Sequence, residues 1–196
     1  MCVTGSYELY TKLRLLHCNI SSENLMFDPE ERCGILNDFG MAKFLHQEPY
    51  IKHRTRALPF VALDLLEDWR DTHRFRHDLE SYLCVVMFVA LRYEYGEEKY
   101  KGTLKEWLYK SPNLVATMKG FLFDHEKLMN ALPWNRSTTY RTIHESWVYP
   151  IWNELYRHYL TRRLKEKENP DLPMETEEGN EALHARIVNI FNDKMG

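Results

Sequence analysis

Between residues 6 and 16 the apolar side chains Tyr7, Leu9, Tyr10, Leu13 and Leu16 recur at three- and four-residue steps, which predicts a short amphipathic helix. A polar loop, residues 19–24, follows it. Leu25-Met26-Phe27 then reads as a strand, residues 28–34 as a turn rich in charge with Pro29 and Gly34, and Ile35-Leu36 as the returning strand. This hairpin carries Asn24 at its entry and Asp38 at its exit, so two oxygen-bearing side chains distant in sequence are drawn together.

The pattern changes after the hairpin. Residues 41–58 are polar and basic (Lys43, His46, Lys52, His53, Arg54, Arg56) and read as a long loop, closed by an apolar stretch at 59–66 that opens a short helix. Residues 78–92 predict the most apolar helix, with Asp78 in its first turn, where a carboxylate suits the helix dipole. Further helices are predicted at 103–110, 112–123 (Pro112 suits a first turn), 124–131 and 140–164. Residues 165–180 are charged and hold Pro170, Pro173 and Gly179, the composition of a solvated linker, and 181–195 form a last amphipathic helix. The expected organisation is a mainly α domain over 1–164 with one short β-hairpin, a linker at 165–180 and a C-terminal helix at 181–196.

Composition narrows the classes. With 44% apolar and 13% aromatic residues in 196, the chain belongs among globular proteins rather than disordered ones. A net charge of −3 supplies no field for nucleic acid or an anionic membrane, so neither is an expected partner. The longest apolar run, residues 82–91, is half the length needed to cross a bilayer. Glu8, Lys12 and Arg14 interrupt any signal-peptide core. Cys2, Cys18, Cys33 and Cys84 form no CxxC pair, which points to free thiols and an intracellular (cytoplasmic or nuclear) protein.

The candidate chemistry lies in His17-Cys18-Asn19-Ile20-Ser21-Ser22-Glu23-Asn24, followed by Asp38-Phe39-Gly40. The layout is that of a kinase catalytic loop, H-R-D-x-x-x-x-N, and its D-F-G element. Arg54-Thr55-Arg56-Ala57-Leu58-Pro59-Phe60-Val61-Ala62 and His73-Arg74-Phe75-Arg76-His77-Asp78-Leu79-Glu80-Ser81-Tyr82 complete four ordered blocks. Together they resemble the fungal-type protein kinase family, over residues 7–125 and more loosely to 164.

The resemblance implies a kinase C-terminal lobe and a family activity of ATP-dependent phosphoryl transfer to protein Ser/Thr. It implies ATP and Mg²⁺ as cofactors, with Asn24 and Asp38 as the metal- and nucleotide-holding pair. His17 matches the packing histidine beneath the loop, and Asp78 the carboxylate that fastens the loop through its backbone amides. Cys18 stands where the family has the Arg that reads a phosphorylated activation loop, and Ala62-Leu63-Asp64 where other kinases have A-P-E. Asn19 occupies the position of the Asp that accepts the substrate hydroxyl proton, and an amide cannot take that proton.

The Gly-rich loop, strand Lys and helical Glu of an N-terminal lobe have no counterpart upstream of residue 6. The expectation is therefore a chain inactive alone, even with Asn19→Asp, and paired with a completing N-lobe or another protein. A non-catalytic pseudokinase scaffold and a small-molecule phosphotransferase are the alternatives. The Arg54-Thr55 and Asp78-Leu79-Glu80-Ser81 blocks argue against the last.

Overall fold

The computed structural model describes residues 2–45, 58–68, 72–94, 97–98, 111–122, 138–169 and 177–193. Helix α1, Cys2–Leu13, stops three residues before its predicted end. Arg14 takes the left-handed conformation (φ 54°), and Leu15–Leu16 (β1) turns away to pair antiparallel with Lys43–Phe44 (β4). Helical periodicity extends through Leu16, but pairing with a distant strand captures the last two residues.

Strands β2 (Leu25–Asp28) and β3 (Cys33–Leu36) form the predicted hairpin, with Leu25 opposite Leu36 and Met26 opposite Ile35. Side chains alternate along a strand. Leu25 and Leu36 accordingly pack against the core, while Met26 and Ile35 face solvent. Asp28 closes the turn by accepting the backbone N–H of Glu30 and Glu31.

The largest core is built around α3, Phe75–Arg92. It begins three residues ahead of the predicted helix, because its first turn holds Arg76 and His77, ionisable residues that are nonetheless buried. Helix α2, Leu63–Glu67, packs against α4, Pro112–Leu122, through Leu63, Leu66, Val115 and Ala116. No side chain of its own caps α2; Glu80 on α3 accepts the Leu63 N–H at 2.7 Å instead.

The single helix expected over 140–164 is interrupted: α5 (Thr138–Ile143) passes through a π turn at His144–Val148 into α6 (Tyr149–Glu168). Pro150 cannot donate to the carbonyl four residues back and crowds it, which accounts for the widened turn. Helix α7, Glu177–Asp193, lies against α1, α3 and α6. It buries Leu183, His184, Ile187, Val188 and Phe191, and ion pairs Arg14–Glu181 (3.1 Å) and Arg186–Glu154 (2.6 Å) flank the contact.

The fold is mainly helical, as expected. Among the described residues it holds, besides the hairpin, two further short strand pairs, β1–β4 and Tyr93–Glu94 (β5) with Glu97–Glu98 (β6). The predicted helices 103–110 and 124–131 and most of the basic loop lie outside the described residues. Among the described residues no helix is long and apolar enough to cross a membrane.

Candidate functional site

The loop between β1 and β2 is held from below by one carboxylate. Asp78, fully buried in the first turn of α3, accepts the backbone N–H of His17 at 2.9 Å and of Cys18 at 3.1 Å. His73 Nε2 donates to the same carboxylate at 2.8 Å. Burial alone would raise the Asp78 pKa, but the His73 hydrogen bond and charge, with help from His17, pull it below the ordinary value. Cys18 sits at φ 63°, a conformation costing an L-residue roughly 1–2 kcal/mol. Its N–H is one of those that Asp78 holds, so the strained turn and its anchor form a unit.

His17 completes the platform. The Asn19 N–H donates to His17 Nδ1 at 3.3 Å, which leaves the proton on Nε2, and Nε2 donates to the Asn37 carbonyl at 2.9 Å. Phe39 packs against the imidazole with ring centroids 4.9 Å apart. The loop is thereby tied both to α3 and to the segment leaving β3.

On the upper side of that platform three side chains converge. Asn24 Nδ2 donates to the Asn19 carbonyl at 2.8 Å, and Asn19 Nδ2 donates to Asp38 Oδ2 at 3.2 Å. The other Asp38 oxygen accepts the Gly40 N–H at 3.2 Å, with Asp38 itself at φ 57°. A Cβ at residue 40 would stand 3.0 Å from that oxygen, so glycine permits the approach. Asp38 is exposed and Asn24 half-buried.

This edge has the donor chemistry of a hard cation site, all oxygen, but holds a single charge. Asn24, with its amide nitrogen turned to the Asn19 carbonyl, keeps Oδ1 as its cation-facing atom. Asp38 shares one oxygen with Asn19. Among the described residues no group of three or more His, Cys, Asp or Glu could hold a metal ion. The pair therefore fits Mg²⁺ only as a partial shell that phosphate oxygens would have to complete.

A second polar cluster lies beneath α2. Asp64 forms ion pairs of 2.5 Å with Arg76 Nη1 and with Arg162 Nη2 on α6. Burial opposes ionisation there, yet His77 and above all the two guanidiniums hold the carboxyl well below the usual range. His77 Nε2 stands 3.9 Å away, too far for a hydrogen bond, so the guanidiniums carry this effect. Burial in turn keeps His77 neutral.

Five residues single themselves out in the sequence, and the structure places all of them around one loop: His17 and Asp78 below, Asn19, Asn24 and Asp38 above. His73 as a further partner of Asp78 is not foreseen, although its position five residues earlier on the same segment was a usable signal. Arg162 carries no signal, since nothing near it in sequence points to Asp64.

A model of the fungal protein kinase family matches residues 1–90. That stretch spans the loop, the hairpin, the Asp38-Phe39-Gly40 turn and all but the end of α3. No curated protein and no solved structure matches the chain.

Proposed function

Residues 1–90 match the fungal protein kinase family, and we propose on that premise that the chain is a non-catalytic, kinase-like module. The observation that carries this reading is the 3.2 Å hydrogen bond from the Asn19 amide to Asp38. In the position of the proton acceptor stands a donor, and it is directed at the carboxylate that would otherwise serve the cation. Proton acceptance by a positioned base is worth about 10²–10⁴ in rate, and this loop has no group at that place to supply it.

ATP and Mg²⁺ remain the ligands that the family pattern suggests for Asn24 and Asp38. There Mg²⁺ would neutralise charge on the phosphates, held by Asn24 Oδ1 and Asp38. The rest of the loop positions: Asp78 and His73 fix the backbone, His17 ties it to Asn37, and Asn24 closes its last turn.

A role in binding is favoured by the surface around the hairpin. Met26, Phe27, Ile35, Phe39 and Phe44 are all exposed, Phe27 at 67%. Such apolar side chains suit the apolar face of a protein partner. The test is a calorimetric titration of the purified chain with Mg²⁺-ATP at up to millimolar concentration, with Asp38→Ala as control. The module reading expects no saturable heat. Saturable binding abolished in Asp38→Ala would show a metal–nucleotide site at this edge, and phosphate transfer from it would overturn the reading.

A further inference from the structure

Away from the loop, the interior holds an amine against a thiol. Lys119 on α4 is 1% exposed, and its Nζ donates to Cys84 Sγ on α3 at 3.2 Å and to the Val61 carbonyl. Cys84 is 6% exposed and carries a free thiol. Glu80, one turn earlier on α3, is buried too and balances the charge of Lys119. That opposite charge, with the two hydrogen bonds of the amine, explains why a lysine is tolerated here. It does not require a sulfur atom at the end of the amine.

We propose that Lys119 and Cys84 form a reversible oxidative cross-link, a nitrogen–oxygen–sulfur bridge joining α4 to α3, with dioxygen as the oxidant. The separation suits a single intervening oxygen. A direct nitrogen–sulfur bond would require the two atoms to close roughly half the present gap. The Val61 carbonyl and the Cys84 sulfur hold the amine in place, so the orientation that the reaction needs exists beforehand.

The chemistry balances as follows. The amine reacts through its nitrogen lone pair, its ammonium proton leaving to solvent. The neutral amine then loses one hydrogen and the Cys84 thiol loses another, and these leave with one atom of dioxygen as water. The second oxygen atom forms one bond to nitrogen and one to sulfur. Nitrogen and sulfur each give up two electrons, and dioxygen takes all four.

Cross-linking would fasten α3 to α4 and redirect the amine now bound to Val61, just ahead of α2. A thiol reductant returns the amine, the thiol and water, so the bridge reports redox state. This inference does not depend on whether the loop binds nucleotide.

The decisive experiment is peptide mass spectrometry of the purified wild-type chain, one portion kept reduced and one equilibrated with air. In the oxidised portion the peptides bearing Cys84 and Lys119 are expected to appear joined, heavier than their sum by one oxygen less two hydrogens. Trypsin no longer cuts after Lys119, and dithiothreitol restores both peptides. Exposed Cys33 serves as an internal control and stays out of any such link. Lys119→Arg abolishes the joined species if the variant folds, but the wild-type result stands without it. Recovery of Cys84 as free thiol, disulfide or sulfinic acid with normal cleavage at Lys119 would overturn the proposal, as would a link lacking the added oxygen.

Discussion

The two sides of the loop at residues 17–24 differ in how completely their polar groups are satisfied. Below, one buried carboxylate collects two backbone N–H groups and an imidazole, with no solvent between them. Above, Asn19, Asn24 and Asp38 meet at the surface through two amide hydrogen bonds, and a single negative charge is left for chemistry. Folding requires the lower side, since unsatisfied buried groups cost stability wherever they occur. Only catalysis requires the upper side to carry a base. A loop can therefore keep its shape while the side chains on its exposed edge change, and on this edge Asn19 presents an amide to Asp38.

The comparison breaks most readily at Asp78. Replacing it with Ala strands two buried N–H groups and the strained Cys18 turn, and should cost about 3–5 kcal/mol in urea denaturation. A loss below 1 kcal/mol would mean that the platform is not held from α3.

Acid should come next. His184 on α7 is fully buried between Tyr10 and Phe75, with ring centroids 4.8 and 4.2 Å away and neither ring nitrogen hydrogen-bonded. Burial, reinforced by nearby His158, pushes its pKa down to about 3. The unfolded chain binds a proton on this residue below its ordinary value near 6.5, whereas the folded chain does not. The stabilisation is thus complete above that pH and declines as pH falls toward the folded value. At pH 5 the deficit is roughly 2 kcal/mol, and His184→Phe should remove that slope from a series of urea titrations.

Asn19→Asp sharpens the contrast from above. It places a second carboxylate beside Asp38, a repulsion worth about 1 kcal/mol in water-like surroundings, which a divalent cation would relieve. Magnesium should therefore stabilise this variant more than wild type, as read by the shift in melting temperature on adding the ion. Equal shifts would show that residue 19 does not control the edge. The smallest effect belongs to Phe27→Ser on the exposed hairpin, within about 0.5 kcal/mol of wild type. A larger cost would place Phe27 in the folded interior rather than on a partner-facing surface.

Much of this arrangement is legible in the chain itself. The hairpin follows from two short apolar strands around a turn containing Pro29 and Gly34, and Pro112 marks the start of α4. The five residues around the loop are legible because they fall in ordered blocks that resemble a known family, although Asp78 lies 61 positions from His17. What escapes sequence reading depends on distant partners. Leu15 and Leu16 fit the helical period but join Phe44 and Lys43. The α7 helix shows amphipathicity yet not its docking partners, which lie on α1, α3 and α6. Buried ionic residues depend on the same kind of partner: Arg76 and His77 lie beside Asp64, which Arg162 reaches from α6.

The most direct measurement is transfer of labelled γ-phosphate from ATP, to a protein substrate or to the chain itself, by purified wild type in Mg²⁺. Asp38→Ala provides the background. With an amide in place of the proton acceptor, wild type should incorporate no more label than Asp38→Ala. Magnesium-dependent incorporation by wild type that vanishes in Asp38→Ala would contradict the account.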